Sequence, residues 1–174
     1  IKKELKIWEE KGALGQHSRW EHFHERLIES TARLVGAKND EVVVMNALTV
    51  NLHLLMISFY QPNKNKNKII IESGAFPSDQ YAIDSQVKLH GLDPKDAIIE
   101  LKPRNGESSI HTEDIIQTID NYKNELSMVL MGGVNYYTGQ AFDLKTITKS
   151  AHSVGAIAGF DLAHATGNIL LDLH

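Results

Sequence analysis

The sequence predicts an α/β fold in which a mostly parallel sheet is flanked by helices on both faces. Its strand-like segments are short, continuous apolar runs, such as KIIIE at 68–72 and LSMVLM at 126–131. Such runs are typical of strands that are buried on both faces of a sheet. Segments with helical spacing alternate with these runs, and this alternation is typical of βαβ units.

The first 35 residues predict two helices, and the second of them runs from about Trp20 to Val35. Apolar residues recur along this second helix at helical spacing, and Gly36 follows at a position that favours a left-handed helix end. From Gly36 onwards the pattern changes to alternating strands and helices. We therefore expect an N-terminal helical segment over residues 1–35 and a larger α/β domain over residues 36–174.

Five strands and four helices are expected in the larger domain. The strands are the apolar runs at 41–45, 68–72, 97–101, 126–131 and 156–160. The helices are one from Thr49 and three that are capped by Ser78, Thr112 and Asp143. In open α/β sheets, ligands lie beyond the carboxyl ends of the strands. The candidate functional residues therefore fall in four segments, at 46–49, 74–79, 132–138 and 161–164.

Composition excludes several classes of function. The formal net charge is −4, which argues against a nucleic-acid partner because such proteins carry a basic stripe. The chain has no cysteine, so disulfides and thiolate metal sites are excluded, and we expect no metal because no H-E-x-x-H motif occurs. We also expect no membrane partner, since no stretch approaches the roughly 20 apolar residues of a membrane span. The missing cysteine is compatible with the cytosol.

Two of the four segments have both a functional and an ordinary interpretation. At 46–49 a strand-to-helix turn offers free N–H groups that favour an anion, with the Thr49 hydroxyl as a further donor; the alternative is an ordinary capped helix start. At 74–79 the Phe76 ring is suited to stacking on a planar group and Asp79 to accepting hydrogen bonds beside it. The alternative there is a hydrophobic staple before a helix capped by Ser78.

Of the other two segments, the one at 161–164 indicates a particular ligand group and the one at 132–138 does not. Glycines at 132–133 allow a ligand to approach the backbone closely, or they form a mobile turn. Asp161 directly ends an apolar strand, and such an acid is costly unless it is paired. A protonated pyridine nitrogen is a suitable partner, because the carboxylate keeps the ring charged and able to withdraw electrons. His164 lies one turn on, either within reach of the same ligand or as a satisfied histidine.

Four segments in this order make the chain resemble kynureninase, a fold-type I pyridoxal-phosphate enzyme of the aminotransferase class V group. They are NALTVNLHLLM (46–56), FPSDQYAIDSQ (76–86), GGVNYYTGQ (132–140) and GFDLAHATGN (159–168). The resemblance implies that residues 36–174 are part of the large pyridoxal-phosphate domain of such an enzyme, truncated at its C-terminal side. The lysine that forms the Schiff base follows this region in the family, in a Ser-x-Lys-Tyr-like motif that this sequence does not contain.

The resemblance implies hydrolysis of L-kynurenine to anthranilate and L-alanine, or of 3-hydroxykynurenine to 3-hydroxyanthranilate. This reaction belongs to tryptophan catabolism and NAD biosynthesis. The resemblance also implies that the enzyme is a cytoplasmic homodimer. Two alternatives remain open, a class V cysteine desulfurase-like enzyme and a non-catalytic α/β ligand-binding domain. The preference between the two kynurenines and the role of His17 as a substrate-facing histidine are also left open.

The resemblance also implies cofactor-binding roles for nine residues. They are Leu48 and Thr49 at the phosphate, Phe76 stacked on the ring, Pro77, Ser78 and Asp79 lining the cofactor, Asp161 at the ring nitrogen, His164 beside it, and Gly132. Asp161 is the catalytic member, because it keeps the electron-withdrawing ring charged. Gly132 stands where some relatives have a Ser or Thr that contacts the cofactor, so this contact is expected to be lost or supplied by a backbone N–H.

Overall fold

The computed structural model describes residues 1–17 and 20–174, without the side chains of Gln16 and His17. The substrate-facing role left open for His17 therefore lies outside the described side chains. The chain forms two compact units, one of Ile1–Asn46 with Thr166–His174 and one of Ala47–Ala165. The boundary expected between residues 35 and 36 stays a prediction.

The first unit is mainly helical. It contains α1 (Lys2–Lys11), α2 (Leu14–His17), a 3-10 helix (His24–Leu27), α3 (Ile28–Val35) and a second 3-10 helix (Asn39–Glu41). The helix expected from Trp20 thus begins later and opens with a 3-10 turn. Gly36 ends α3 in the left-handed conformation, with φ at 65°, as the sequence predicts. A Cβ on Gly36 would lie 2.5 Å from the carbonyl oxygen of Leu171, so only glycine fits there without strain.

The strand expected at 41–45 is wrong. Glu41 ends the second 3-10 helix, and residues 42–45 are assigned to neither a helix nor a strand. Val42 does adopt extended dihedral angles, φ −123° and ψ 132°, which is what a β-branched run favours. Val43 is nevertheless 62% exposed. The run is thus extended at Val42, but the sheet is formed by four other segments.

The second unit is an α/β/α structure. It contains α4 (Leu48–Phe59), β1 (Lys68–Glu72), α5 (Pro77–Leu89), α6 (Pro94–Ala97), β2 (Ile98–Leu101), α7 (Thr112–Asn121), β3 (Leu126–Gly132), α8 (Leu144–Ser153) and β4 (Ile157–Asp161). The four strands lie in the order β2-β1-β3-β4, and every neighbouring pair is parallel. The predicted parallel sheet flanked by helices is confirmed, with four strands instead of five.

The predicted helix caps were right in one case out of three. The Asp143 side chain caps α8 by accepting from the Thr146 N–H at 3.0 Å. Helix α5 instead begins at Pro77 after Phe76, and α7 begins at Thr112 after His111, with no side-chain cap in either. Proline is favoured at the first position of a helix because it has no N–H to leave unpaired, and this moves the start of α5 ahead of Ser78.

The sheet separates two apolar cores, and the side chains of each strand alternate between them. Ile70, Val129 and Met131 face a cluster that includes Ile115 and Ile119 of α7 and Ile147 and Ala151 of α8. Ile69, Ile71, Met128 and Leu130 face a cluster that includes Met56 of α4 and Ile83 and Val87 of α5. This period of two explains the continuous apolar runs of β1 and β3, because both faces of these two strands are buried.

The strand order reverses between β1 and β3. The chain runs from β1 to β2 on one side and then crosses to β3 on the other side of β1. The carboxyl ends of the strands at and next to this point are Glu72, Gly132 and Asp161. Open α/β sheets bind ligands at such switch points. The fold therefore indicates a ligand site next to these three residues. Within residues 1–17 and 20–174, no helix is both long and apolar enough to cross a membrane.

Candidate active site

A cavity of about 210 Å³ lies at the switch point of the sheet. Its lining comes from the ends of β1, β3 and β4, from the starts of α4 and α5, and from the segments that follow β3 and β4. The lining residues are Leu48, Glu72, Phe76, Asp79, Gly132, Val134, Tyr136, Asp161, Ala163 and His164. The cavity thus combines three acids, an aromatic group and a helix N-terminus.

Three carboxyl groups meet on one side of the cavity. Glu72 and Asp79 are only 3% and 8% exposed. The side chains of Asp79 and Asp161 are hydrogen-bonded to each other, which requires one of the two to carry a proton. Asp161 Oδ1 also accepts from the Ala163 N–H at 2.7 Å, and the Glu72 carboxylate accepts from the Gly132 N–H at 3.0 and 3.1 Å.

Burial and mutual repulsion raise the pKa of two of these acids, Asp79 and Glu72. Burial raises the pKa of Asp79 to about 7, helped by the hydrogen bond and charge of Asp161 and opposed by the Ser78 hydroxyl. Burial also raises the pKa of Glu72; the Gly132 N–H opposes this, and the charge of Asp161 adds to it. Among the described residues that line the cavity there is no lysine or arginine. The cluster therefore favours a cationic ligand.

The raised pKa of Asp79 predicts a pH-dependent stability. The folded protein holds this proton up to about pH 7, whereas an ordinary aspartate loses it near 3.8. Between these values the folded state binds more protons than the unfolded chain, so the free energy of unfolding falls as pH rises. We expect urea unfolding of the ligand-free intact protein to show this fall between about pH 4 and pH 7, and Asp79→Asn to reduce it.

The matched control for this prediction is Asp84→Asn. Asp84 lies on the same helix, and its side chain is 39% exposed and paired with Lys88 at 2.6 Å. This variant is expected to keep the full pH dependence. An Asp79→Asn protein whose unfolding free energy falls as steeply as that of the unchanged protein would refute the assignment of the proton to this site.

Three rings form an aromatic cluster at the cavity. The Phe76 ring lies edge-on to Tyr136 with their centroids 5.1 Å apart. The His164 ring is 5.9 Å from Phe76 and 6.1 Å from Tyr136. Phe76 is 42% exposed, so part of its ring is open to stacking by a flat ligand.

The start of α4 supplies the remaining side of the cavity. Ala47 is the N-cap residue, and no side chain caps the helix, so the ordinary capped start is wrong. The first N–H groups of a helix lack partners within the helix, and they carry partial positive charge. Leu48 lines the cavity, and Thr49 follows it in the first turn. This end of the cavity is therefore suited to an anion.

The structure brings together six of the nine residues expected from the sequence. Leu48, Phe76, Asp79, Gly132, Asp161 and His164 line the cavity. The other three are adjacent to it in the chain: Thr49 follows Leu48, Pro77 is the first residue of α5, and the Ser78 hydroxyl donates to Asp79 Oδ1 at 3.2 Å. The N–H of Gly132 is donated to Glu72.

Glu72 and Tyr136 were not singled out from the sequence. Glu72 directly ends an apolar strand, which is the same sequence signal that identifies Asp161. Tyr136 lies within the expected segment 132–138, but nothing in its local pattern distinguishes it from Tyr137, which is 85% exposed.

The fold and this site define a class of protein, and comparison with known proteins identifies it. The family model for aminotransferase class-V matches residues 4–174. The chain therefore belongs to the aminotransferase class-V family.

Within this family, the chain is similar to kynureninases, which confirms the resemblance carried by the four segments. It is 56% identical to kynureninase of Myxococcus xanthus, an alignment that covers 100% of this chain and 42% of that protein. It is 54% identical to kynureninase of Christiangramia forsetii, over 97% of this chain and 40% of that protein. The chain thus spans about two fifths of the length of these curated relatives.

A solved structure supports the fold. A C-DES variant with glycine covalently linked to its PLP cofactor superposes with a TM-score of 0.73, covering 97% of this chain and 43% of that chain. At 12% sequence identity this similarity shows the fold alone. The large-domain fold of a fold-type I pyridoxal-phosphate enzyme, which the resemblance implied, is confirmed.

Proposed function

We propose that this chain forms the cofactor-binding part of a pyridoxal-phosphate enzyme that hydrolyses L-kynurenine, or 3-hydroxykynurenine, to anthranilate, or 3-hydroxyanthranilate, and L-alanine. The observation that carries the proposal is the hydrogen-bonded pair of Asp79 and Asp161 beside the Phe76 ring. The relatives named kynureninase, at 56% and 54% identity, support the choice of substrate. Tryptophan catabolism, a cytoplasmic location and a homodimer belong to the same proposal through the resemblance.

The chemistry of the cavity fits pyridoxal phosphate from end to end. The acids suit a protonated ring nitrogen, Phe76 suits the face of the ring, and the free N–H groups at the start of α4 suit the phosphate. When bound, the cofactor supplies a charged ring that withdraws electrons from the substrate. Asp161 would hold the proton on the ring nitrogen, and His164, which lines the same cavity, would lie near the ring.

The proximity of the two acids also affects the protonation of Asp79. Asp79 keeps its proton while no cation is near, because it is buried and the adjacent Asp161 carboxylate repels a second negative charge. A cation held at Asp161 would offset this repulsion, and Asp79 would then ionise more readily. We assign the proton transfers to the substrate to a lysine outside this chain, because the chain lacks the Ser-x-Lys-Tyr-like motif.

The proposal is tested by offering the intact protein two substrates. L-Kynurenine is expected to give anthranilate, which is followed by its fluorescence, and L-cysteine is expected to give no sulfide. Sulfide without anthranilate would establish the desulfurase alternative, and binding of the cofactor without either product would establish a non-catalytic domain.

The phosphate end of the site predicts a selective effect of Thr49→Ala. Hydrogen bonds to charged groups contribute about 1.5–3 kcal/mol, so the affinity for pyridoxal phosphate is expected to fall by roughly 10- to 100-fold. Pyridoxal, which lacks the phosphate, is expected to bind equally well to both proteins. Equilibrium titration of the two ligands measures this difference.

Thr49→Ser is the matched control, because it keeps the hydroxyl group and is expected to bind pyridoxal phosphate as the unchanged protein does. An equal loss of affinity for pyridoxal and for pyridoxal phosphate in Thr49→Ala would show that Thr49 acts on folding or on the ring instead of the phosphate.

A further inference from the structure

Glu72 is a buried acid at the centre of the site, and neither the four segments nor the resemblance gives it a role. It is the last residue of β1, which lies between β2 and β3 in the sheet. It is 3% exposed, yet it lines the cavity. A buried carboxyl group is costly unless it is paired. The position of Glu72 therefore indicates a role that offsets this cost.

Glu72 and Gly132 form a matched pair. Both oxygens of Glu72 accept from the Gly132 N–H, and a Cβ at Gly132 would lie only 2.9 Å from Glu72 Oε1. A side chain at residue 132 would thus displace the carboxylate. Because Gly132 pairs with Asp161 across β3 and β4, Glu72 also fixes the strand end beside Asp161.

The charges around Glu72 are those of the other acids. Asp79 reaches the cavity from α5, Asp161 from the end of β4, and His164 from the segment after β4. Glu72 and Asp161 repel each other, and so do Glu72 and Asp79. In the described part of the chain, no group of three such side chains is placed to hold a metal ion. The negative potential of Glu72, Asp79 and Asp161 favours the binding of an organic cation in the cavity.

We propose that Glu72 is a positioning residue that holds the end of β3 and adds negative potential behind Asp161, so that a cationic ring nitrogen keeps its proton to higher pH. This inference rests on the proposed pyridoxal-phosphate site and deepens it. Asp161 contacts the ring nitrogen, and Glu72 acts on it through Asp161 and Gly132.

The test is Glu72→Gln in the intact protein with pyridoxal phosphate labelled with ¹⁵N in its ring. The amide oxygen of glutamine still accepts from the Gly132 N–H, so only the charge is removed. We expect the pH at which the ring nitrogen loses its proton, followed by ¹⁵N NMR, to fall by about one unit. We also expect the dissociation constant of the cofactor at pH 8 to rise by about tenfold.

Two further variants complete the test. Glu125→Gln removes the charge of an exposed glutamate near Lys68 and is expected to leave both quantities unchanged. Gly132→Ala keeps Glu72 but displaces its carboxylate, and it is expected to shift the ring titration in the same direction by a smaller amount. If Glu72→Gln does not fold, Gly132→Ala decides the question.

An unchanged ring titration and an unchanged cofactor affinity in the folded variant would overturn the role of Glu72. These readouts do not depend on the substrate. A shifted titration in a protein that releases no anthranilate would uphold the role of Glu72 and refute kynurenine hydrolysis, and the reverse result would refute only the role of Glu72.

Discussion

The intact protein is expected to lose its bound pyridoxal phosphate, and with it its yellow colour, when Asp161 is replaced by alanine. Asp161 ends β4 and is held in place by the Ala163 N–H at 2.7 Å and by Asp79. Removing one partner of a buried ion pair costs about 3–5 kcal/mol. This corresponds to a cofactor affinity that is lower by roughly 10²- to 10⁴-fold, measured by equilibrium titration and by visible absorbance.

Two controls separate the charge of Asp161 from its shape and from general effects. Asp161→Asn keeps an oxygen that accepts from the Ala163 N–H, and it is expected to lose nearly as much affinity as the alanine variant because the charge is absent. Asp120→Asn removes a carboxylate that is 60% exposed and paired with Lys123, and it is expected to change nothing. If Asp161→Ala keeps the cofactor affinity and activity of the unchanged protein, Asp161 is not the partner of the ring nitrogen.

Replacement of Ile147 by alanine is expected to have the second largest effect, and this effect is on stability. Ile147 of α8 is fully buried in the cluster against which Phe160 of β4 packs. Truncating such a side chain costs about 2–5 kcal/mol, because the cavity that it leaves collapses only in part. We expect urea unfolding of the intact protein to show a loss of this size, with unchanged cofactor affinity in the protein that remains folded.

Ile147→Val is the graded control for this prediction, with an expected loss of about 0.5–1.5 kcal/mol. Leu89→Ala truncates an exposed apolar side chain on α5 and is expected to be nearly neutral. If Ile147→Ala were no more destabilising than Leu89→Ala, the core described between the sheet and helices α7 and α8 would be wrong.

The strands of the sheet could be predicted because parallel sheets bury both faces, so each strand is a continuous apolar run. KIIIE at 68–72 matches β1 at both ends. EVVVM at 41–45 is also a short run of apolar residues, and Val42 is extended, but this run is not one of the four strands of the sheet. Pairing depends on distant segments, which a local pattern does not report, and this is why one expected strand was wrong.

The site could be predicted where a residue's chemistry and its place at a strand end coincide. Asp161 satisfies both conditions. Glu72 satisfies them too, but its hydrogen bond to Gly132, 60 residues away, is visible only once β1 and β3 lie side by side. The pairing of Asp79 with Asp161 joins a helix start to a strand end in the same way, so the raised pKa of Asp79 could not be predicted from sequence.

A crystal structure of the intact protein with pyridoxal phosphate tests the central claim most directly. We expect an Asp161 carboxylate oxygen within about 3 Å of the ring nitrogen, the Phe76 ring against the face of the cofactor, and the phosphate at the N-terminus of α4. A ring nitrogen that contacts neither Asp161 nor Asp79, or a phosphate bound away from Leu48 and Thr49, would contradict it.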